Sequence, residues 1–100
     1  MATKPAYLVV DLIVDDPETF KKYQQEVAPI LEQFGGRYLI KGGEYSLEET
    51  DTEWKPNRIV VLQFPSMEKA RAFYECDIYQ PVKAIRTSST RATLAIVEGY

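Results

Sequence analysis

The chain has 100 residues, of which 45% are hydrophobic and 27% are charged, and its net charge at pH 7 is -3. This composition is typical of one soluble globular domain, and the acidic excess disfavours nucleic acid and membrane surfaces as partners. The absence of histidine excludes histidine-based triads, histidine-ligated haem and histidine-containing zinc sites. One cysteine cannot form an intrachain disulfide. We therefore expect residues 1–100 to be a single cytoplasmic domain without a metal or other cofactor.

The first predicted strand covers residues 6–14, AYLVVDLIV. Its even positions are all aliphatic and its odd positions are apolar apart from Asp11, so both faces of the strand are expected to be buried. A helix then begins, with Asp16 as its N-cap and Pro17 at its first position. Apolar residues at helical spacing give this helix one buried stripe, and the pair Gly35-Gly36 ends it.

The next predicted strand is RYLIK, residues 37–41, and the pair Gly42-Gly43 forms a bend or bulge at its end. We expect at least one glycine of each pair, 35–36 and 42–43, to have a positive φ, because only glycine adopts that conformation without penalty. The alternation of side chains along a strand places Arg37 and Lys41 on the same side.

The second half of the chain again alternates strands and helices. An acidic loop with a short extension at residues 45–47 leads to a strand over residues 57–64. A helix capped by Ser66, a shorter helix opening at Pro81 and a strand over residues 93–99 follow. The order βαββαβ is typical of the α+β ferredoxin-like plait, an antiparallel sheet with its helices on one face. RNA-recognition domains share this fold, but RIVVLQF lacks their third-strand glycine and has Phe64 as its only aromatic residue.

The helix-free face of this sheet predicts a homodimer. The first strand contributes Val9 and Ile13 to that face, and the third strand adds further aliphatic residues. A monomer would expose a contiguous apolar surface, which soluble monomers avoid. Two such faces packed about a two-fold axis hide each other and produce a dimeric α+β barrel with a cavity between sheet and helices.

Several segments of the chain occur together, and in this order, in one known family. They are GGRYLIKGGE, then Trp54-Lys55-Pro56 with Arg58, then RIVVLQFPS, Tyr79-Gln80-Pro81, Arg86 and IVEG. On these segments the sequence resembles the bacterial domain-of-unknown-function family 1330 (DUF1330). The resemblance implies a dimeric α+β barrel, similar to cofactor-independent monooxygenases, lactone isomerases and stress-responsive barrels. Two departures are LEETD where the family usually has Leu-Glu-Gly, and Cys76 where serine is common.

Three residues are expected to border one cavity per subunit. Asp11 is a carboxylate on an apolar face, so it is either a general base with a raised pKa or the partner of an arginine in a salt bridge across the dimer. Arg37 either clamps a carboxylate or enolate, or belongs to the solvated rim of the sheet. Tyr79 lies at a helix break and is the tyrosine best placed to contact a ligand.

Arg58, Arg86 and Glu48 complete the candidate ligand-binding residues. The alternative is that the two arginines pair structurally with Glu44 or Glu48. Two functions remain open at this point. One is a cofactor-independent enzyme acting on a small apolar or carboxylate substrate, and the other is a non-catalytic homodimer with a stress, structural or ligand-binding role.

Overall fold

The computed structural model describes residues 3–100, which contain a four-stranded antiparallel sheet in the order β2-β3-β1-β4. The elements in chain order are β1 (Ala6–Val14), α1 (Pro17–Gln33), β2 (Arg37–Lys41), β3 (Arg58–Phe64), α2 (Met67–Glu75), α3 (Tyr79–Ser89) and β4 (Thr90–Glu98). This is the predicted βαββαβ plait, with its second helix divided into α2 and α3. Within residues 3–100, no helix combines the length and the apolar character needed to cross a membrane.

The alternation of side chains along β1 sorts them between the two faces of the sheet. Leu8, Val10 and Leu12 are each 4% exposed and belong to the core, which lies between the sheet and the helices. On the opposite, helix-free face, Val9 is 38% exposed. Within one subunit only the even face of β1 is covered, because no helix packs over the odd positions, and burial of the odd face by a second copy stays a prediction.

The helix ends follow the predicted capping pattern. The carboxylate of Asp16 accepts hydrogen bonds from the backbone N–H of Thr19 at 3.3 Å and from its hydroxyl at 2.7 Å. Ser66 caps α2 by accepting from the backbone N–H of Lys69 at 3.1 Å. Gly35 has φ +76° beyond the end of α1, and Gly42 has φ +74° beyond the end of β2. The prediction of a positive φ in each glycine pair is confirmed.

A β-bulge in β2 changes which residues share a face. The register with β3 shifts between Tyr38 and Ile40, so that Arg37 pairs with Gln63 and Lys41 with Val60. The extra residue reverses the alternation after it. Arg37 therefore lies on the helix-free face and Lys41 on the helix side, and the prediction that they share a side is wrong.

Two element boundaries differ from those predicted. Helix α3 begins at Tyr79 rather than at Pro81, because the first turn of a helix needs no backbone donor at the proline position. Strand β4 begins at Thr90 rather than at residue 93. No strand forms at residues 45–47 of the described chain. The loop is instead fixed by Asp11, whose carboxylate accepts from the Trp54 indole N–H at 2.9 Å and from the Asn57 backbone N–H at 2.8 Å.

Candidate functional site

A cavity lies between the helix side of the sheet and helix α1. It contains about 490 Å³ not occupied by protein atoms, a volume that includes its opening to solvent. The cavity itself has a volume of about 30 Å³, room for about two water molecules, so a larger ligand can enter only if side chains move. Most of its wall is apolar and comes from β1, α1, β3, α2 and β4: Leu8, Val10, Leu12, Phe20, Leu31, Val60, Leu62, Phe73 and Leu94.

Two arginines bring positive charge to this apolar wall. Arg58 projects from the first position of β3, and Arg86 from the last part of α3. Arg86 is 6% exposed. The Nε–H groups of both side chains are buried, and neither has a hydrogen-bond partner within residues 3–100. A buried donor without a partner is unfavourable by roughly 1–3 kcal/mol, more when it is charged, so a ligand that supplied an acceptor to these two donors would stabilise the site.

Arg58 is held in place by the residues around it. Its guanidinium lies over the ring of Phe20, 5.4 Å from the ring centroid. On another side it lies against the backbone of Gly42, where a Cβ atom would overlap the Arg58 side chain. Two features favour glycine at position 42: its positive φ and the close approach of an arginine side chain to its backbone.

Phenol groups surround the second arginine. The hydroxyls of Tyr23 and Tyr79 are hydrogen-bonded at 3.0 Å, and Tyr23 lines the cavity. Burial alone would lower the pKa of Arg86, but the phenol of Tyr79, followed by those of Tyr23 and Tyr74, outweighs burial and raises that pKa. Arg86 is therefore a permanent cation at the cavity wall.

The tyrosines at the wall are permanent hydrogen-bond donors at neutral pH. Burial, and then the proximity of Tyr79, raises the pKa of Tyr23 far above its ordinary value. The pKa of Tyr38 is raised in the same way, first by burial and then by Tyr79. A raised pKa keeps a phenol protonated, so these hydroxyls can donate hydrogen bonds to an anion.

The remaining polar lining adds one further cation and no carboxylate. Lys41, which the bulge turns to the helix side, lies 4.8 Å from the centroid of the Tyr38 ring, and Gln24 provides an amide. None of the described residues that line the cavity is an aspartate or a glutamate. The described residues also contain no cluster of three potential metal ligands. The geometry can therefore bind an anion, but it provides no ordinary general base.

Asp11, Arg37 and Tyr79 do not border one cavity in a subunit, so that prediction is wrong. Asp11 lies on the helix-free face and is occupied by the loop contacts to Trp54 and Asn57. Arg37, on the same face, donates to the Gln63 side chain at 3.0 and 2.7 Å. Tyr79 is fully buried behind the cavity wall. The expected geometry failed because odd positions of β1 and Arg37 face away from the helices.

The other predicted residues divide between the cavity and the loop. Arg58 and Arg86 line the cavity, and neither forms an ion pair with a described residue. The predicted structural pairing with Glu44 or Glu48 is therefore wrong. Glu48 lies in the exposed loop and accepts a hydrogen bond from Ser46.

Sequence reasoning missed four polar residues of the cavity wall: Tyr23, Gln24, Tyr38 and Lys41. Tyr23 and Gln24 follow each other on α1, where the apolar stripe of the helix favours packing over ligand contact for a tyrosine. Tyr38 and Lys41 share a face only because of the bulge. The available signal was Gly42-Gly43 at the end of the strand, which indicates an irregularity without giving its position.

Residues 5–100 match the sequence model of the family described as "Domain of unknown function (DUF1330)". No curated protein matches the chain at a significant level. A crystal structure of a protein of unknown function from Rhodopseudomonas palustris is similar, with a TM-score of 0.78 and 12% identity, over 97% of this chain and 83% of that one.

Two further solved structures share the fold. SnoaB, a cofactor-independent oxygenase from Streptomyces nogalater, has a TM-score of 0.64 at 13% identity, over 98% of this chain and 95% of its own. A dimeric ferredoxin-like protein of unknown function from Jannaschia sp. CCS1 has a TM-score of 0.59 at 16% identity, over 94% and 98%. At these identities the likeness shows the fold, and it confirms the predicted ferredoxin-like class.

Proposed function

The chain belongs to the DUF1330 family, and we propose that its cavity binds a small organic acid through the guanidinium groups of Arg86 and Arg58. One observation carries this proposal. Arg86 is 6% exposed and lines an apolar cavity, and its Nε–H has no hydrogen-bond partner among the described residues. A buried cation is unfavourable unless a counter-charge and hydrogen-bond acceptors accompany it. A carboxylate entering the cavity supplies both.

The aromatic residues in the cavity wall favour an aromatic ligand. Rings of Phe20, Phe73 and Tyr38 form part of the walls. An aromatic or conjugated acid buries apolar surface between such rings, and its carboxylate can accept from a planar guanidinium. Benzoate is the simplest compound with these properties.

The residues that line the cavity also limit the reactions that it can catalyse. SnoaB is a cofactor-independent oxygenase on the same fold, and an enzyme of that broad kind is the catalytic alternative for this chain. The described cavity lining contains no carboxylate, and the chain contains no histidine. A reaction here would therefore need a substrate that ionises without an ordinary protein base.

We also propose that the protein is a homodimer through its helix-free face. Ile40 and Val97 on this face are 45% and 47% exposed, and Val9 lies between them on β1. Covering these side chains with a second copy removes apolar surface from water. In such a dimer Asp11 and Arg37 lie at the interface, away from the cavity.

Isothermal titration calorimetry with benzoate and benzamide tests the ligand class. Benzoate should bind the wild type, and benzamide, which lacks the charge, should bind much more weakly. Loss of a hydrogen bond to a charged group is worth about 1.5–3 kcal/mol, so Arg86→Gln and Arg58→Gln should each weaken benzoate binding roughly tenfold or more. Arg71→Gln is the matched control, because Arg71 is exposed on α2. Equal affinity for the two compounds, or an equal loss in the Arg71 variant, would contradict the proposal.

A further inference from the structure

The charged and titratable groups around the cavity come from five of the elements packed against it, because β1 and β4 contribute only leucine and valine side chains, and none of these groups is negative at neutral pH. They are Tyr23 on α1, Tyr38 and Lys41 on β2, Arg58 on β3, Tyr74 on α2, and Tyr79 and Arg86 on α3. Three of them are cations and four are phenols. The described groups around the cavity therefore favour an anion over the corresponding neutral acid.

This preference has a consequence for hydroxyl compounds that are weak acids. A benzoic acid is already ionised at neutral pH, whereas a phenol or a stabilised enol is largely protonated. We propose that the cavity binds phenols and acidic enols as their oxyanions, with the negative oxygen accepting from Arg86 and Arg58. The inference depends on the proposed anion site and extends it to ligands that must lose a proton on binding.

The released proton goes to water. No described residue of the lining is a carboxylate or an imidazole, and the phenols of Tyr23 and Tyr38 already hold their protons because burial raises their pKa values. The cavity is open to solvent, and Lys41 in its lining is exposed. The ligand O–H bond breaks there, its electron pair remains on the ligand oxygen, and the proton is carried away by solvent.

The two arginine cations determine how far the pKa of a bound phenol or enol should fall. An opposite charge within a few ångströms lowers the pKa of an acid by about 1–3 units in proteins, which corresponds to a ratio of anion to neutral form about 10- to 1000-fold higher. Burial of the ligand opposes this effect, because it disfavours the charged form. We expect a net decrease of about one unit, or tenfold in that ratio.

A nitrophenol is a suitable probe, because its phenolate absorbs visible light and its pKa lies near neutrality. The absorbance of 4-nitrophenol is titrated against pH with and without an excess of the protein. The wild type should lower its pKa, the Arg86→Gln and Arg58→Gln variants should each remove most of the shift, and the exposed Arg71→Gln variant should retain it. Arg86→Lys, which keeps the charge, should retain part of it. Circular dichroism of each variant shows whether the fold is preserved.

Benzoate binding, measured on the same samples, separates the two proposals. If benzoate binds through the arginines but the pKa of 4-nitrophenol is unchanged or raised, the oxyanion inference is wrong and the anion site stands. If neither compound binds a folded wild type, both proposals are wrong. A shift that persists in both folded arginine-to-glutamine variants also overturns the inference, because other groups would then be responsible.

Discussion

Replacing Gly42 by alanine should destabilise the protein and displace Arg58, whereas the same change at Gly43 should be harmless. Gly42 has φ +74°, and a Cβ atom there would meet Arg58 Cγ at 2.8 Å and Cδ at 3.0 Å, with Nε closer still. Gly43 has no atom within 4 Å of the added Cβ. The two adjacent glycines therefore form a matched pair, in which one variant is strained and the other is not.

The expected loss of stability in Gly42→Ala follows from two unfavourable contributions and one that offsets part of them. An alanine in the left-handed region is less favourable by about 1–2 kcal/mol. Forcing the Arg58 side chain out of a favoured rotamer adds about 0.5–1.5 kcal/mol. Reduced freedom of the unfolded chain offsets about 0.4–1 kcal/mol of this. Gly42→Ala should lower the free energy of unfolding by about 1–2.5 kcal/mol, and Gly43→Ala should leave it unchanged or slightly raised.

Urea unfolding followed by circular dichroism measures this difference as a shift of the midpoint at constant slope. A double-mutant cycle with Arg58→Ala then isolates the steric part, because that change removes the atoms that Cβ would meet. The penalty of Gly42→Ala should fall by about 0.5–1.5 kcal/mol in the Arg58→Ala background. Equal midpoints for the Gly42 and Gly43 variants would refute the described position of Arg58 and, with it, the geometry of the cavity.

Two further predictions concern the helix-free face and helix α1. Val9→Asp should convert a dimer into an 11.5 kDa monomer in light scattering, because a carboxylate would be buried between the sheets. The control variant Val9→Thr should remain dimeric. A dimeric Val9→Asp variant would indicate a different interface. Hydrogen bonds from Thr19 lower the pKa of Asp16 below 3.8, so its contribution to stability is present above that pH and is lost as the pH falls through the lowered pKa. The variant Asp16→Asn keeps a hydrogen-bond acceptor but cannot titrate, so its urea midpoint should rise relative to that of the wild type as the pH falls. A difference between the two midpoints that does not change with pH would contradict the role of Asp16.

Local features of the fold could be predicted because each has a cause within a few residues. The cap at Asp16, the cap at Ser66 and the positive φ of Gly35 depend on short-range hydrogen bonds and on the missing Cβ of glycine. The alternation of β1 depends on a side-chain period of two, which the sequence displays directly. These features can be predicted without knowing what packs against them. The exception is which face of β1 is covered, which depends on the packing of other elements.

The site could be predicted only in part, because it depends on contacts between distant segments. Arg58 and Arg86 were recognised as candidate residues, and both line the cavity. The face of Lys41 depends on the position of a bulge relative to β3, which local sequence does not fix. The role of Asp11 depends on Trp54 and Asn57, more than 40 residues away in the chain. The residues predicted for one cavity therefore lie in different places.

A crystal structure of the protein with benzoate tests the central claim most directly. The account predicts that the ring lies between the sheet and α1, with its carboxylate within hydrogen-bond distance of the Nε–H groups of Arg86 and Arg58. It also predicts that the side chains of Asp11 and Arg37 do not contact the ligand. Benzoate bound on the helix-free face, or in the cavity with its carboxylate turned away from both arginines, would contradict the assignment of this cavity as an anion site.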